Sequence, residues 1–578
     1  MLHRPIEERL QTAVAAVLPD ADLSQVLVRP CPDPRFGDYQ ANSLMGLAKA
    51  RKLNPRKLAD EVVAKLDLAG LGATVEIAGA GFLNFRVSAP TVAAHLLEAL
   101  AGRHLFLAPA ARPKTIVVDF SSPNVAKPMH IGHIRSTILG DALARVFRLL
   151  GHRVVTDNHL GDWGTAFGKL LVGWKRHLHA EALERDPIAE MERLYQLVNE
   201  ASKADPSVLE TARHELVKLQ SGDEENLAIW RKMTALSQVQ FDAIYGRLGV
   251  KFDFTLGESF YNPKLKSIVS DLKNIGVARE SEGAVAVFFE EPELKDHPAI
   301  IQKSDGAANY ATTDLATLVY RLERWNPDEI VYVTDDRQQL HFKQFFAIFR
   351  RWKPDVAVKL SHVWFGKILG DDGKPFRTRD GGVVRLSDLL DEAEERALAI
   401  VQEKNPEMPD AQRREIARVI GLGSVKYADL LPNRQSDYIF SWDKMLALTG
   451  NTAPYLLYAY TRICGIFRRV SDEGGTFDAA GLAAGFQLKL AHAEELAVAK
   501  HLVRFGLVLD AVAEEHRPNY LCNYLYDLAG HMARFYEQCP VLTAPEPERL
   551  TRLILCHLAG EVLQKGLGLL GIETTERM

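Results

Sequence analysis

The run SSPNVAKPMHIGH, Ser121 to His133, carries two histidines three residues apart, His130 and His133, with Gly132 between them. Thr115 to Phe120 just before it is apolar and β-branched and reads as a buried parallel strand. Ile134 to Leu150 just after it has helical period and is stopped by Gly151. A strand-to-helix turn of this kind offers free backbone N–H groups to phosphate, and Gly132 lets the backbone approach a nucleotide. His130 and His133 would there donate hydrogen bonds to a phosphate as five-coordinate charge builds, worth about 2.7–4 kcal/mol per well-placed donor. Without a ligand the same pair reads as helix-capping histidines. A zinc site is disfavoured, because no third ligand stands at suitable spacing. Further along, Asp314 follows Tyr310 at i, i+4, so ring and carboxylate would share one helix face.

The elements that must position these groups follow from the pattern. Residues 1 to 110 read as a small α+β domain, with a helical start, helices over Gln40–Leu53 and Pro55–Leu68, and a strand over Gly81–Val87. The Pro-rich stretch Ala108 to Pro113 reads as a linker. Strand, functional loop and helix then open an α/β doubly wound, Rossmann-like catalytic domain over 111–390. A charged helical insertion falls near 170–290, and strand signals return at Ala284–Phe289 and Glu329–Val333. From 391 to 578 nearly every segment has helical period, which predicts a carboxy-terminal α-helical bundle.

Composition narrows the class. The chain has 578 residues, 47% hydrophobic and 25% charged, with no apolar run near the roughly 20 residues that span a bilayer. A net charge of −5 does not announce a nucleic-acid binder, so any basic surface must be local. The five cysteines form no C-x-x-C pair, which argues against a disulfide framework or a structural zinc, and fits the cytoplasm. Met1 to Leu23 reads as an amphipathic helix, unlike a cleavable signal.

SPNVAKPMHIGH resembles the nucleotide-binding element of class I aminoacyl-tRNA synthetases, and its SPN-x-AKP prefix is similar to the arginyl branch of that family. GDWGTAFG (Gly161 to Gly168), DGAANYATTDLA (Asp305 to Ala316) and NTAPYLLYAYTR (Asn451 to Arg462) resemble arginyl-family blocks in the same order, across essentially the whole chain. The resemblance implies activation of arginine with ATP, with Mg2+ accompanying ATP, and transfer to arginine tRNA, which must be bound before activation. It implies catalytic roles for His130, His133 and Lys127, the last replacing a missing lysine of the family's mobile loop. ATP would also meet Gly132 and the degenerate loop Gly373 to Gly382, through Lys374 and Arg377. These cations equally suit an ordinary solvated turn.

A guanidinium is a planar fork of donors with no acceptor, so its pocket needs carboxylates. By resemblance Glu258, Tyr310, Asp314 and Gln338 bind the arginine side chain, and Asn124 its α-amino and carboxylate groups. Without the resemblance, Asp314 would read as helix surface and Glu258 as a cap. For tRNA, the bundle is rich in tyrosine beside Arg462, Arg468 and Arg469, which suits stacking on splayed bases. The bland reading is tyrosine as core filler. By resemblance Tyr455, Tyr458, Tyr536 and Met578 face the anticodon loop, and Phe82 and Asn84 the outer corner of tRNA. A monomer with no membrane partner is expected. Two other readings stay open. A small-molecule nucleotidyltransferase sharing H-x-G-H would leave the helical third without a job. A non-catalytic RNA-binding relative would be expected to lose His130, His133 or the pocket carboxylates.

Overall fold

Alternation along Phe82-Leu83-Asn84-Phe85-Arg86-Val87 sends Leu83, Phe85 and Val87 into one core and leaves their neighbours on the opposite face. In this computed structural model, which describes residues 1–33, 35–102, 104–376 and 384–578, that run is the longest-paired strand of an antiparallel sheet. Its strands are β1 (Arg29–Pro30), β2 (Tyr39–Ala41), β3 (Ala73–Ala78) and β4 (Phe82–Val87), in the order β1-β2-β4-β3. The expected helix over Gln40–Leu53 is shorter, Ser43–Arg51, because Tyr39, Gln40 and Ala41 pair with Phe85, Asn84 and Leu83. The next helix is Pro55–Val63, with Asn54 accepting from Arg56 and Lys57 as its cap.

The parallel sheet begins with β5 (Thr115–Asp119), β6 (Arg153–Asn158) and β7 (Phe254–Thr255). Five helices intervene between β6 and β7, from Thr165–His177 to Glu224–Leu248. Two of them open on an Asp cap followed by proline, Asp186-Pro187 and Asp205-Pro206. After β7 come β8 (Arg279–Ser281), β9 (Ala284–Val287) and β10 (Ala299–Gln302). The strand signal of Ala284–Phe289 is realised over Ala284–Val287, outside the main sheet: β9 is the centre of a separate antiparallel sheet, order β10-β9-β8. Glu282 and Gly283, both at positive φ, close a tight hairpin that needs no crossover. The main sheet resumes with β11 (Glu329–Tyr332) and β12 (Lys359–His362), giving the all-parallel order β12-β11-β5-β6-β7.

β5 and β11 are buried on both faces, and their period of two sends alternate residues into two different cores. Val118 and Val331 pack with the helix Ile131–Leu149 and the carboxy-terminal bundle. Val117, Ile330 and Tyr332 pack with the helices Tyr310–Trp325 and Gln339–Trp352. β5 lies between β6, which follows it, and β11, reached much later, so the strand order reverses beside it. That crevice, at the carboxyl end of β5, is where ligands sit in open α/β sheets.

From Leu386 onward the chain is helical apart from β14 (Tyr438–Ile439), which pairs in parallel with β13 (Ile368–Leu369). The amino-terminal unit docks on this bundle through Lys500 to Asp38 at 2.8 Å and Arg4 to Asp510 at 3.0 Å. Among the described residues no helix is long and apolar enough to cross a membrane.

Candidate active site

The loop leaving β5 holds three non-glycine residues in the left-handed region, Ser121 (φ 73°), Ser122 (φ 49°) and Ala126 (φ 61°). Such conformations cost about 1–3 kcal/mol each and persist only where the surroundings over-determine them. Each strained N–H here has a side-chain acceptor: Ser136 Oγ for Ser121 at 2.9 Å, Asn158 Oδ1 for Ser122 at 3.0 Å, and Ser237 Oγ for Ala126 at 2.9 Å. Ser121 Oγ is also hydrogen-bonded to Tyr245 Oη at 2.8 Å. The loop is thus fixed by two inserted-helix residues, Ser237 and Tyr245, as well as by Ser136 of the helix that follows it and Asn158 at the end of β6.

His130 ends that loop and caps the helix Ile131–Leu149, which starts three residues earlier than its periodicity predicted. His130 Nδ1 accepts from Gly132 N at 3.1 Å, and His133 Nδ1 accepts from His130 N at 3.1 Å. With both Nδ1 atoms acting as acceptors, each neutral ring carries its proton on Nε2. Burial lowers both imidazoles, His133 to about 3; Arg337 and Lys127 add to the effect at His130, and His130 itself at His133. Capping therefore selects the tautomer with a donor on Nε2, the form that a phosphate contact would need. A Cβ on Gly132 would meet the His130 ring at 2.8 Å, so glycine there also makes room for the histidine.

Gly161 and Asp162 assemble the neighbouring pocket. A Cβ on Gly161 would fall 2.2 Å from Asn124 Oδ1, and one on Gly257 would fall 2.2 Å from the Asp162 carboxyl carbon. Asp162 accepts from Ser259 N at 2.8 Å and Ser259 Oγ at 2.6 Å, which holds the short turn Glu258–Tyr261 against the loop of Asn124. Burial, then the nearby Asp314 and Asp162 carboxylates, push the Glu258 carboxyl up to about 8. Asp314 and Tyr310 do share one face of the helix Tyr310–Trp325. His341, not foreseen from the sequence, reaches both: its Nε2 is 2.5 Å from Asp314 Oδ2, and its ring meets Tyr310 edge-on at 4.8 Å between centroids. Tyr310 is 59% exposed and stands open at the mouth. Gln338 is exposed one helical turn before His341. Beneath the pocket, wholly buried Arg321 donates to Asp119 at 2.6 Å and Asp157 at 2.9 Å, tying the same helix to β5 and β6.

Lys127 is exposed, with its ammonium 5.4 Å from the Tyr195 ring centroid on the inserted helix Pro187–Ala204. Lys374 is exposed in a turn where its N–H is accepted by Asp372 at 3.0 Å. Arg377 lies outside the described residues. Val384 and Arg385, which follow that segment, pair with the histidine turn: Ile131 N donates to Val384 O at 3.1 Å.

The remote positions divide. In the bundle, Arg462 lies over the rings of Tyr536 at 4.4 Å and Tyr458 at 5.8 Å, and both tyrosines are exposed, at 37% and 48%. Half-buried Tyr455 packs beside Tyr526 at 5.6 Å. Tyr460 and Tyr524 are core, as the bland reading held. Arg468 is engaged with the backbone of Glu576 at 2.7 Å and helps pin the tail that ends in half-buried Met578. Phe82 is half-buried at the start of β4. Asn84 requires correction as a contact residue: it is 2% exposed, and its Oδ1 accepts from Gln40 Nε2 at 2.8 Å. Its neighbours on the sheet face cover it, and Gln40 is the more open member of the pair. Among the described residues no group of three or more His, Cys, Asp or Glu is placed to hold a metal ion.

Residues 95–442 match the family described as tRNA synthetases class I (R), catalytic domain; residues 456–578 match the DALR anticodon binding domain, and residues 4–87 the arginyl tRNA synthetase N terminal domain. The chain is 46% identical over 585 residues to the arginine–tRNA ligase of Chromobacterium violaceum, covering 100% of both chains. It is 45% identical over 588 residues to that of Hahella chejuensis, again covering 100% of both. The solved arginyl-tRNA synthetase of Thermus thermophilus superposes with a TM-score of 0.85 at 26% identity, covering 100% of each chain. The strained turn with its two Nε2-protonated histidines, the neighbouring Glu258 and Asp314 carboxyl groups and the helical bundle thus occur together in one full-length match: the chain belongs to the arginyl-tRNA synthetase family of class I aminoacyl-tRNA synthetases.

Proposed function

We infer that this chain is an arginine–tRNA ligase, which forms arginyl-adenylate from arginine and ATP and passes the arginyl group to the terminal ribose of arginine tRNA. The observation that carries the assignment of its centre is the pairing of two neutral, Nε2-protonated histidines with a pocket built around Glu258 and Asp314. The arginine carboxylate attacks the α-phosphorus of ATP, the bond to the bridging oxygen breaks, and pyrophosphate leaves with magnesium as part of the substrate. His130 and His133 donate to the α-phosphate and its bridging oxygen as negative charge develops, without gaining or losing a proton. The helix-start N–H groups of Ile131 and Gly132 are taken by Val384 O and His130 Nδ1, contrary to the free donors expected of such a turn, so in this reading contact with phosphate falls to the two imidazoles and Gly132 makes room for the His130 ring. Lys127, Lys374 and Arg377 supply cations to the departing pyrophosphate.

Asn124 holds the α-amino and carboxylate groups of arginine; Glu258, Asp314, Tyr310 and Gln338 receive its side chain. Tyr455, Tyr458, Tyr536 and Met578 meet the anticodon loop, and Phe82, with Asn84 supporting Gln40, meets the outer corner of tRNA. In this reading residues 1–110, 111–390 and 391–578 are the amino-terminal tRNA-binding, catalytic and anticodon-binding units of a cytoplasmic monomer. The test is ATP–pyrophosphate exchange with each amino acid, with and without tRNA. Exchange with arginine alone, and only with cognate tRNA present, is expected; exchange driven by another amino acid overturns the specificity.

A further inference from the structure

His341 takes one oxygen of the carboxylate on which arginine recognition is proposed to rest. A free aspartate side chain turns its carboxylate plane easily, because the terminal torsion is broad and two-fold. A bond at 2.5 Å from a ring nitrogen to Asp314 Oδ2 removes that freedom and leaves Oδ1 as the open acceptor. The ring that makes the bond is itself held. His341 begins the helix Gln339–Trp352, lies parallel to Phe345 within 4° at 6.1 Å, meets Phe342 at 5.3 Å, and presents an edge to Tyr310 at 4.8 Å. It is only 14% exposed, against 28% for Asp314, so the donor lies behind the carboxylate that faces the opening. The pair spans two helices that come from different parts of the chain.

We propose that His341 is the positioning residue of the arginine pocket: it fixes the Asp314 carboxylate and the Tyr310 ring together, so that Asp314 offers a single aimed oxygen and the rest of the guanidinium fork falls to Glu258. This rests on the assignment of Asp314 to the substrate side chain made above. The consequence is chemical. A flat fork meets acceptors in its own plane, and the bond from His341 sets that plane before arginine arrives. A site prepared in this way discriminates by direction as well as charge, so loosening it favours ligands that need only a charge, such as lysine.

The test is steady-state ATP–pyrophosphate exchange, in the presence of arginine tRNA, on the full chain and on H341F, H341Q, D314N and the H341F/D314N double variant. H341F keeps the ring packing and removes the donor; it is expected to raise the KM for arginine about 10- to 100-fold with the KM for ATP within about twofold. H341Q carries an amide N–H at a similar reach and should recover most of that loss. If His341 acts through Asp314, the double variant is no worse for arginine than D314N alone. The arginine-to-lysine ratio of kcat/KM should fall in H341F. Thermal unfolding of each variant accompanies the kinetics. If D314N raises the arginine KM while H341F leaves it unmoved, the positioning role is overturned and the pocket assignment stands. Equal losses for arginine and ATP with no recovery in H341Q would make His341 a purely structural tie and overturn the proposal. An unmoved arginine KM in D314N removes the pocket assignment itself.

Discussion

In the proposed function His130 has a separate use for each ring nitrogen, and the two can be tested apart. Nδ1 accepts from the backbone of Gly132, a duty that an asparagine oxygen also performs at a helix start, whereas Nε2–H has no counterpart in asparagine. His130→Asn should keep the melting temperature within a few degrees and lower kcat for exchange by about 10²–10³-fold, with the KM for ATP little changed. A loss confined to KM would mean that the histidine binds nucleotide without acting in the transition state. Glu258 sets a pH dependence at the same scale. Its carboxyl is raised to about 8 by burial and by Asp314 and Asp162, so the empty pocket holds a proton there at pH 7. A guanidinium needs the carboxylate, so binding must expel that proton. The KM for arginine should therefore fall as pH rises from 6.5 through about 8, by up to about tenfold per unit, and then level. Glu258→Gln should flatten this profile, and a wild-type KM that is constant over the range would show that Glu258 enters binding already ionised.

At the scale of elements, the helix Tyr310–Trp325 carries the proposed arginine pocket on its first turns and is anchored two turns later by Arg321. That guanidinium has no exposed surface and lies between Asp119 and Asp157 at the carboxyl ends of β5 and β6. The burial of these charges is tolerable because they compensate one another, and removing one partner strands the others. Arg321→Met is expected to cost about 3–5 kcal/mol of stability in denaturant unfolding. A change below about 1 kcal/mol would mean that the network is dispensable and that packing alone holds the pocket helix. Asp119 also accepts from Ser122 Oγ at 3.2 Å, so the same anchor reaches the strained loop that leads to His130.

At the scale of the whole molecule, the surface proposed to read tRNA belongs to the carboxy-terminal bundle and the histidine turn to the parallel-sheet unit. Arg462 sandwiched near Tyr458 and Tyr536 presents flat, exposed surfaces of the kind on which bases stack. Tyr536→Ala should raise the KM for tRNA in aminoacylation about 5- to 160-fold, from the roughly 1–3 kcal/mol that one stacked base contributes. The KM values for arginine and ATP, measured at saturating tRNA, should stay within about twofold. An unchanged tRNA KM would return Tyr536 to the role of a surface tyrosine. Buried Arg135 provides one physical link between the two ends. It leaves the helix that starts at the histidine turn and meets buried Asp429 of the bundle at 3.0 Å and Gly366 O at 2.8 Å.

The sequence by itself determined what is local. The β-branched run before Asp119, the histidines at a strand-to-helix turn, the Asp-Pro helix starts and the helical period after Leu386 each arise from neighbours within a few residues, and the ordered blocks identified the family. Tertiary structure decided what depends on partners distant in the chain. Periodicity tells which face a residue occupies on its own element, and nothing about which other element covers that face. So Ala284–Val287 reads as a strand but its hairpin neighbours keep it out of the main sheet, and Asn84 reads as a candidate contact but Gln40 and the sheet face enclose it. Tyr460 and Tyr458 lie two residues apart on one helix, and only the packing of the bundle makes one core and the other surface. His341 left no local signal because its partner Asp314 is 27 residues away on another helix, where the pairing exists only once both helices have packed on the sheet.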